Sequence, residues 1–257
     1  MNNIVLNPKD NSVLILDKSD CDYTINILEN TNVKILEYDI LNSQITINLA
    51  RYSSLKYNTI NLKKSDVKRN FNLENNTNLN VNTVNLNELN DITIVDLVGD
   101  YAVCNINNLA IIKDSNQIFD TKINHNAHNG TSKIYNLGVA LDNSNICFDC
   151  KGYVSKKMEI NDCRQLSKGI IVGKNAKITE KPILLIDNYN VSAYHGASIG
   201  RMSDEQLFYL MSRGVSKKEA YKLILSGLIA PFIKEIVDDK KNDDVTNAIS
   251  DLLKEEE

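Results

Sequence analysis

Short runs of alternating apolar and polar residues recur along the chain from residue 13 to residue 97. Alternation with a period of two is typical of a β-strand that buries one of its faces. The centres of the runs lie about 10–13 residues apart, as expected for a many-stranded β architecture. The predicted strands cover residues 13–16, 23–28, 33–38, 45–49, 55–62, 67–73, 79–86 and 92–97.

The β pattern continues beyond residue 100. It is present in YAVCNINNLAIIK, SNQIFDTKIN, SKIYNLGVAL and ICFDCKGYV, becomes polar over residues 155–168, and returns in KGIIVG and KPILLIDNYNVSAYH. Pro182 stands directly before ILLI. We expect this proline to begin a strand, where its missing N–H disturbs the hydrogen-bond ladder least.

Two architectures fit this spacing, an antiparallel sandwich and a parallel β-solenoid. Tight hairpins favour Asn-Gly or Asp-Gly turns, and the sequence contains one such dipeptide, Asn129-Gly130. The other connections are rich in Asn, which tolerates the left-handed conformation and can form hydrogen-bonded ladders on successive coils. Biased codon usage would also give many Asn residues. The pattern favours the β-solenoid, in which stacked coils share one core.

Helical periodicity replaces the β pattern after residue 200. SDEQ at 203–206 and SKKE at 216–219 have the spacing of capping boxes, which begin helices. We expect the first helix to end at Gly214 and the second near Gly227, with FIKEIV helical again and a terminal helix over residues 243–254. The expected apolar faces comprise Leu207, Phe208, Leu210, Met211, Ala220, Leu223, Ile224, Val245, Ala248, Ile249, Leu252 and Leu253.

These patterns predict a mainly β protein with two parts. A parallel β-solenoid core covers residues 1–200, and a small helical part covers residues 201–257. The Lys254–Glu257 end is expected to fray, because terminal residues without packing are poorly ordered.

Composition excludes several classes of function. The 257 residues are 42% hydrophobic with a net charge of −4 and no Trp, so neither a basic surface nor stacking platforms favour nucleic acid. A run of 18 apolar residues and a basic, apolar leader are both missing from the sequence, which predicts a cytoplasmic protein without a membrane span. The odd number of cysteines predicts thiols rather than disulfides; they are Cys21, Cys104, Cys147, Cys150 and Cys163.

Two residue pairs have the spacing of metal ligands, His125 with His128 and Cys147 with Cys150. Such pairs hold structural zinc when they lie on tight knuckles. CFDC instead lies within a β-like run, where residues three apart point to opposite faces. Loop histidines and core thiols are therefore the favoured interpretation.

Motifs for nucleotide binding and nucleophilic catalysis are weak. GIIVGKNA at 169–176 has the wrong interval for a phosphate-binding loop, and we read it as a strand and turn. A cysteine nucleophile would need Cys163 and His195 to meet in the fold. His195 is flanked by the small residues of HGASIG, which let a ligand or another chain approach. Its neutral imidazole could bind a metal, although such a histidine is more often a cap or a packed side chain.

The segment HGASIGRMSDEQLFYLMSRGVSKKEAYKLILSGLIAPFI resembles the C-terminal signature of the SufB/SufD family of the SUF iron–sulfur cluster assembly machinery. The signature has a strand ending in His-Gly-Ala or His-Glu-Ala, an LFYL-x-SRG helix and a Ser-x-x-Glu-Ala helix. The similarity is dense over residues 182–233. It is looser back to about residue 120, through His125, Ser132 and CFDCKG.

The resemblance implies a right-handed parallel β-helix with a C-terminal helical domain. It also implies a non-catalytic scaffold subunit that forms a SufB–SufD dimer through the β-helix and binds the ATPase SufC, which hydrolyses ATP, through its C-terminal helices. A nascent iron–sulfur cluster would be held transiently at the interface between the two β-helices.

Individual residues carry the resemblance towards SufD. His195 matches the SufD histidine, and Gly196 stands where SufB members usually have Glu. Ser167 matches the position of the SufB cysteine when no gap is allowed, and a small gap brings Cys163 near it. Gln165 matches a SufD-like glutamine. The implied ATPase-binding residues are Leu207, Phe208, Met211, Arg213, Glu219 and Leu223.

The chain is short for SufD, because the N-terminal helical region of the family is missing and the β part is small. An alternative is the sole SufB-like scaffold of a two-component system with SufC, which would homodimerise and use Cys163 as a ligand with His195. A β-solenoid carbohydrate enzyme would need clustered carboxylates on successive coils, whereas the acids here are scattered in turns.

Overall fold

The computed structural model describes residues 2–254, so the expectation for the last residues, 255–257, lies outside the described part. Within that part, sixteen β-strands precede three α-helices. The strands are β1 Asn2–Leu6, β2 Ser12–Leu16, β3 Cys21–Ile27, β4 Asn32–Tyr38, β5 Ser43–Leu49, β6 Ser54–Asn61, β7 Ser65–Leu73, β8 Asn78–Asn85, β9 Leu89–Leu97, β10 Val103–Lys113, β11 Asn116–His125, β12 Thr131–Leu141, β13 Asn145–Val154, β14 Asn161–Ile171, β15 Lys177–Ile186 and β16 Val191–Gly200.

Successive strands alternate between two parallel sheets. The odd-numbered strands form one sheet in the order β1 to β15, and the even-numbered strands form the other from β2 to β16. Each strand pairs in parallel with the strand two positions along the chain, as β10 does with β12. The chain therefore winds as a β-solenoid, which confirms the predicted fold class.

The coils become wider from the amino end to the carboxyl end. Asn2 pairs with Cys21, which is 21 − 2 = 19 residues further, whereas Asn145 pairs with Lys177, which is 177 − 145 = 32 residues further. The strands lengthen in parallel, from five residues in β1 to eleven in β14. The solenoid is consequently a tapered body with a broad carboxyl end.

Asparagine and aspartate form the corners of the coils. Nine of the thirteen non-glycine residues with positive φ are Asn or Asp, and their short polar side chains tolerate this conformation. Backbone amides there donate to the next coil, as Asn76 N–H does to the Asp100 carbonyl at 2.9 Å. The predicted role of Asn in the connections is confirmed.

An asparagine ladder also runs along the outer face of the odd-strand sheet. The side-chain amide of Asn26 donates to Asn7 at 3.2 Å, Asn48 donates to Asn26 at 2.9 Å, and Asn72 donates to Asn48 at 2.8 Å. Each bond joins neighbouring coils, so the ladder supports the stacking that the sequence predicted.

A group of charged side chains is buried inside the narrower half of the solenoid. Arg69 is 1% exposed, and its guanidinium contacts Glu37 at 2.5 and 2.7 Å and also Asp91. Tyr57 donates its hydroxyl to Glu37 at 2.5 Å. One arginine thus holds two carboxylates from different coils, and burial raises the pKa of Asp91 although Arg69 opposes this.

The three helices are α1 Asp204–Ser212, α2 Lys217–Lys234 and α3 Asp239–Lys254. The capping box of Ser216 and Glu219 is present, and Gly214 has the expected positive φ. The expected end of the second helix near Gly227 is wrong, because α2 continues through Gly227 and Pro231. Burial of Ile229 and Phe232 in one cluster with the even-strand sheet outweighs the bond lost at the proline.

Some expected inward-facing side chains lie on the surface. Phe208 is 74% exposed, Leu223 is 56% exposed and Met211 is also exposed, so the expectation for these three is wrong. The α2 face that packs on the sheet instead uses Leu225, Ile229 and Phe232, while Val245 and Ile249 of α3 are buried as expected. None of the helices in the described part is long and apolar enough to span a membrane.

Candidate functional site at the open end of the solenoid

The broad end of the solenoid consists of the last strand of each sheet. β15 pairs only with β13, and β16 only with β14, so one edge of each strand has no strand partner among residues 2–254. Pro182 lies in the middle of β15 rather than at a strand start. The expected position is wrong, and an edge strand tolerates it because its outer side needs no ladder hydrogen bond.

His195 lies at this end, on the outermost coil. It pairs with Gln165 of β14, which follows Ile134 of β12 in the same column. Ile134 and Gln165 are buried and face the interior, whereas His195 is exposed because no described coil covers it. The imidazole therefore extends an interior column to the surface, beside the small residues Gly196 and Ala197.

Cys163 and Ser167 lie one coil beneath His195. Cys163 pairs with Ala193 and Ser167 pairs with Ala197, two positions to either side of the Gln165–His195 pair. Diagonal neighbours in a sheet have Cα atoms about 7–8 Å apart. The fold thus brings Cys163 and His195 onto adjoining coils. Cys163 is 1% exposed, and its burial raises the pKa of the thiol.

A buried hydrogen-bonded chain connects Cys163 to His125. Ser132 donates to the Cys163 Sγ at 3.5 Å and lies 2.8 Å from the Nε2 of His125, whose Nδ1 is 2.9 Å from the Oδ1 of Asn161. Burial lowers the pKa of His125. Both ring nitrogens are engaged, so His125 is a structural side chain here.

The two ligand-like pairs do not converge. Cys150 faces the interior and contacts the Asn136 amide at 3.3 Å, whereas Cys147 lies on the other face of β13 and is half-buried. His128 is exposed and accepts the backbone N–H of Glu159 at 3.1 Å. No cluster of three or more His, Cys, Asp or Glu suited to a metal occurs within residues 2–254.

Glu180 on β15 is a further residue of the open end that the sequence pattern does not indicate. It is half-buried and bonds through one oxygen to Ser167, while its Oε1 is buried without a hydrogen-bond partner. Burial raises the pKa of this carboxyl from 4.5 to about 7, and the Ser167 bond opposes only part of the shift. A lone acid in a strand gives no sequence signal; only the coil register places it inward.

Glu180→Gln is expected to make the protein more stable at pH 8 and to leave stability near pH 5 almost unchanged. Because the folded pKa is raised, the stability that Glu180 contributes is complete below pH 4.5 and is lost as the pH rises through about 7. Urea unfolding midpoints at both pH values, with exposed Glu159→Gln as the control, measure this. Equal pH dependence in the wild type and in Glu180→Gln would contradict it.

The implied ATPase-binding residues occupy different positions in the helical part. Phe208, Met211 and Leu223 are exposed, whereas Leu207 is buried in the core. Arg213 ends α1 and lies over the ring of Tyr209 at 5.2 Å.

Glu219 completes the capping box of α2, with its carboxylate 2.7 Å from the Ser216 hydroxyl. Phe208, Met211 and Leu223 are the accessible apolar side chains of this implied surface, and Arg213 and Glu219 are its exposed charged side chains.

The described chain is thus a parallel β-solenoid with helices packed on one sheet and an exposed histidine on its outermost described coil. The family model described as SUF system FeS cluster assembly, SufBD core domain, matches residues 11–228. The chain belongs to this SufB/SufD family, and it is SufD-like.

Three relatives illustrate the similarity. Iron-sulfur cluster assembly protein SufD of Bacillus subtilis is 36% identical over 46% of this chain and 27% of that protein. SufD of Escherichia coli is 28% identical over 63% of this chain and 38% of that protein. SufB of B. subtilis is 32% identical over 48% of this chain and 27% of that protein. The matches therefore span well under half the length of these curated relatives.

Proposed function

We propose that this chain is a SufD-like scaffold subunit that couples a SufC-type ABC ATPase to the assembly of iron–sulfur clusters. The observation that carries the proposal is the position of His195 on the uncovered coil of a SufB/SufD-family solenoid. Imidazole nitrogen is a good ligand for iron. In this role His195 supplies one ligand to a nascent cluster, which is cargo, and the partner ATPase hydrolyses ATP.

The two open edges support assembly with a second β-solenoid. Unpaired N–H and C=O groups on an edge strand readily pair with another chain. Exposed apolar side chains accompany the edges, namely Ile183 and Leu185 on β15 and Ile199 on β16. A SufB-like subunit is the partner that we infer, because Gly196 and Ser167 depart from the SufB pattern.

One observation favours a second candidate, a homodimeric scaffold that holds the cluster itself. Cys163 lies on the coil next to His195, so a local opening of β16 would present a thiol and an imidazole together. Each copy would then supply two ligands. The five free cysteines fit the reducing cytoplasm that either role requires.

The helical part gives the ATPase a way to act on the open end. α1 follows β16 after three residues, and α2 packs on the outer face of the even-strand sheet that β16 completes. ATP-driven closure of the partner would pull on α1, and the force would be transmitted to β16, the strand that carries His195. Rigid-body movement of a subunit or domain about an interface is one of the known forms of switching transition.

Phe208→Ser is expected to weaken binding of the SufC-type ATPase at least about tenfold without unfolding the chain, because exposed aromatic side chains anchor interfaces. Pull-down of the ATPase under anaerobic conditions measures it. Val98→Ser is the matched control, since Val98 is 50% exposed and follows β9 of the odd-strand sheet, whereas the helices pack on the even-strand sheet. Retention of the ATPase by Phe208→Ser would contradict the docking surface.

The same pull-down from native cytosol, with partners identified by mass spectrometry, separates the two scaffold roles. Recovery of an ATPase with a SufB-like chain supports the heterodimer. Recovery of the ATPase alone supports the homodimer, and recovery of neither overturns the proposed function.

A further inference from the structure

A long groove crosses the outer face of the even-strand sheet beside the carboxyl end of α2. It consists of a cavity of about 600 Å³ and a second of about 360 Å³, which share Lys56 and Asn80 and are therefore continuous. The larger cavity reaches Tyr194 on β16, and the smaller one reaches Asn11 near β2. The groove thus runs along the solenoid axis rather than into the core.

One wall of the groove is a row of cations and amides at a single register position. From β4 to β14 the row reads Lys34, Lys56, Asn80, Asn105, Lys133 and Arg164. Adjacent strands are about 4.8 Å apart, so the row is about 24 Å long. That length matches about seven residues of extended polypeptide.

Half of the positive charge in this row is not neutralised. Lys56 pairs with Glu235 at 2.8 Å, and Arg164 pairs with Asp162 at 2.6 Å. Lys34 and Lys133 have no ion pair within the described residues and are exposed. The protein as a whole carries a net charge of −4, so this uncompensated row is a local exception that favours an anionic ligand.

The opposite wall is apolar and the floor is polar. Tyr135 and Phe232 stack with ring centroids 5.9 Å apart, and Leu166 beside them is 41% exposed. On the floor, Asn82 donates its amide to the Phe232 carbonyl at 3.0 Å, while its Oδ1 is buried without a hydrogen-bond partner. The larger cavity therefore offers an apolar contact beside the charged row, while the Asn82 amide supports the floor beneath it.

We propose that this groove binds an extended acidic segment of another polypeptide that carries one apolar side chain. Carboxylates of the segment contact Lys34 and Lys133, and its apolar side chain packs on Tyr135 and Leu166. The row is too long for a single small anion to use both free lysines. The site is separate from His195 and from α1, and it does not depend on the proposed function.

Fluorescence anisotropy with a labelled probe peptide, EEEEEFE, tests the proposal on the full chain. We expect saturable binding that is at least about tenfold tighter than that of QQQQQFQ and that is lost near 0.5 M NaCl, because exposed charges are screened. The peptide EEEEEGE is expected to bind more weakly than EEEEEFE, since the apolar contact is missing.

Lys133→Glu is expected to weaken binding of EEEEEFE at least about tenfold. Lys122→Glu is the matched control, because Lys122 is exposed on the opposite sheet. Equal binding by the two variants, no preference for the acidic peptide over QQQQQFQ, or binding of adenosine monophosphate in place of the peptide would each overturn the proposal.

Discussion

His195→Ala is expected to abolish iron–sulfur cluster assembly in cells while leaving the folded chain intact. The imidazole is exposed on the outermost coil, so its removal creates no cavity and changes the free energy of unfolding by about 0.5 kcal/mol or less. The loss of one nitrogen ligand, in contrast, removes the group that we propose to hold the nascent cluster. Function and stability should therefore separate in this variant.

The measurement is rescue of growth and of iron–sulfur enzyme activity in cells that lack the chromosomal copy. Ser198→Ala is the matched control, since Ser198 is an exposed residue on the opposite face of the same strand. We expect full rescue by Ser198→Ala, and less than about a tenth of the activity with His195→Ala. Pull-down of the ATPase by both variants excludes a folding defect. Full rescue by His195→Ala would contradict the proposed role of His195 as a cluster ligand.

Arg69→Ala is expected to lower the free energy of unfolding by about 3–5 kcal/mol or more, the range found when one partner of a buried ion pair is removed. Glu37 and Asp91 would remain buried without a counter-charge. The guanidinium joins carboxylates from two coils. Its loss also leaves Glu37, which accepts the Tyr57 hydroxyl, without the two Arg69 hydrogen bonds that hold its carboxylate in place.

Urea unfolding followed by circular dichroism measures the Arg69 effect. The triple variant Arg69→Met, Glu37→Gln, Asp91→Asn is expected to recover a large part of the loss, because it removes the uncompensated charges together. The surface pair Lys64 and Glu88, joined at 2.8 Å, is the control, and Lys64→Ala should cost less than about 1 kcal/mol. An Arg69→Ala midpoint close to that of Lys64→Ala would contradict the prediction.

Sequence patterns predicted the strands well because one residue in two is apolar and buried along most of them. The connections are rich in Asn and poor in Gly, which favoured a solenoid over a sandwich. The structure explains this composition, because Asn and Asp adopt the left-handed conformation at the corners of the coils. The pattern failed where the interior itself is polar. Cys163, Gln165 and Ser167 face inward on β14, so its first half was read as an irregular polar segment.

Local rules also failed where tertiary packing dominates. Gly227 and Pro231 are helix breakers in isolation, yet Phe232 is buried against the even-strand sheet and keeps α2 intact. At the open end, His195 was predicted as a site residue only because the segment around it resembles the SufB/SufD signature. The sequence could not place Glu180 beside Ser167, because this contact depends on the register between sheets and not on spacing along the chain.

The coils at the two ends of the solenoid differ in length, whereas neighbouring coils in the middle are nearly equal, as Ser43 with Val67 and Ser54 with Asn78 show. In a solenoid of identical repeats, a coil can slip onto the wrong neighbour and still satisfy its backbone. Here the pairing interval rises from 19 residues at the amino end to 32 near the carboxyl end, so an amino-end coil placed on a carboxyl-end coil would leave amides and corner carbonyls unmatched. The taper therefore distinguishes the two ends of the solenoid from each other during folding, and it favours docking of the coil that carries His195 at the broad end.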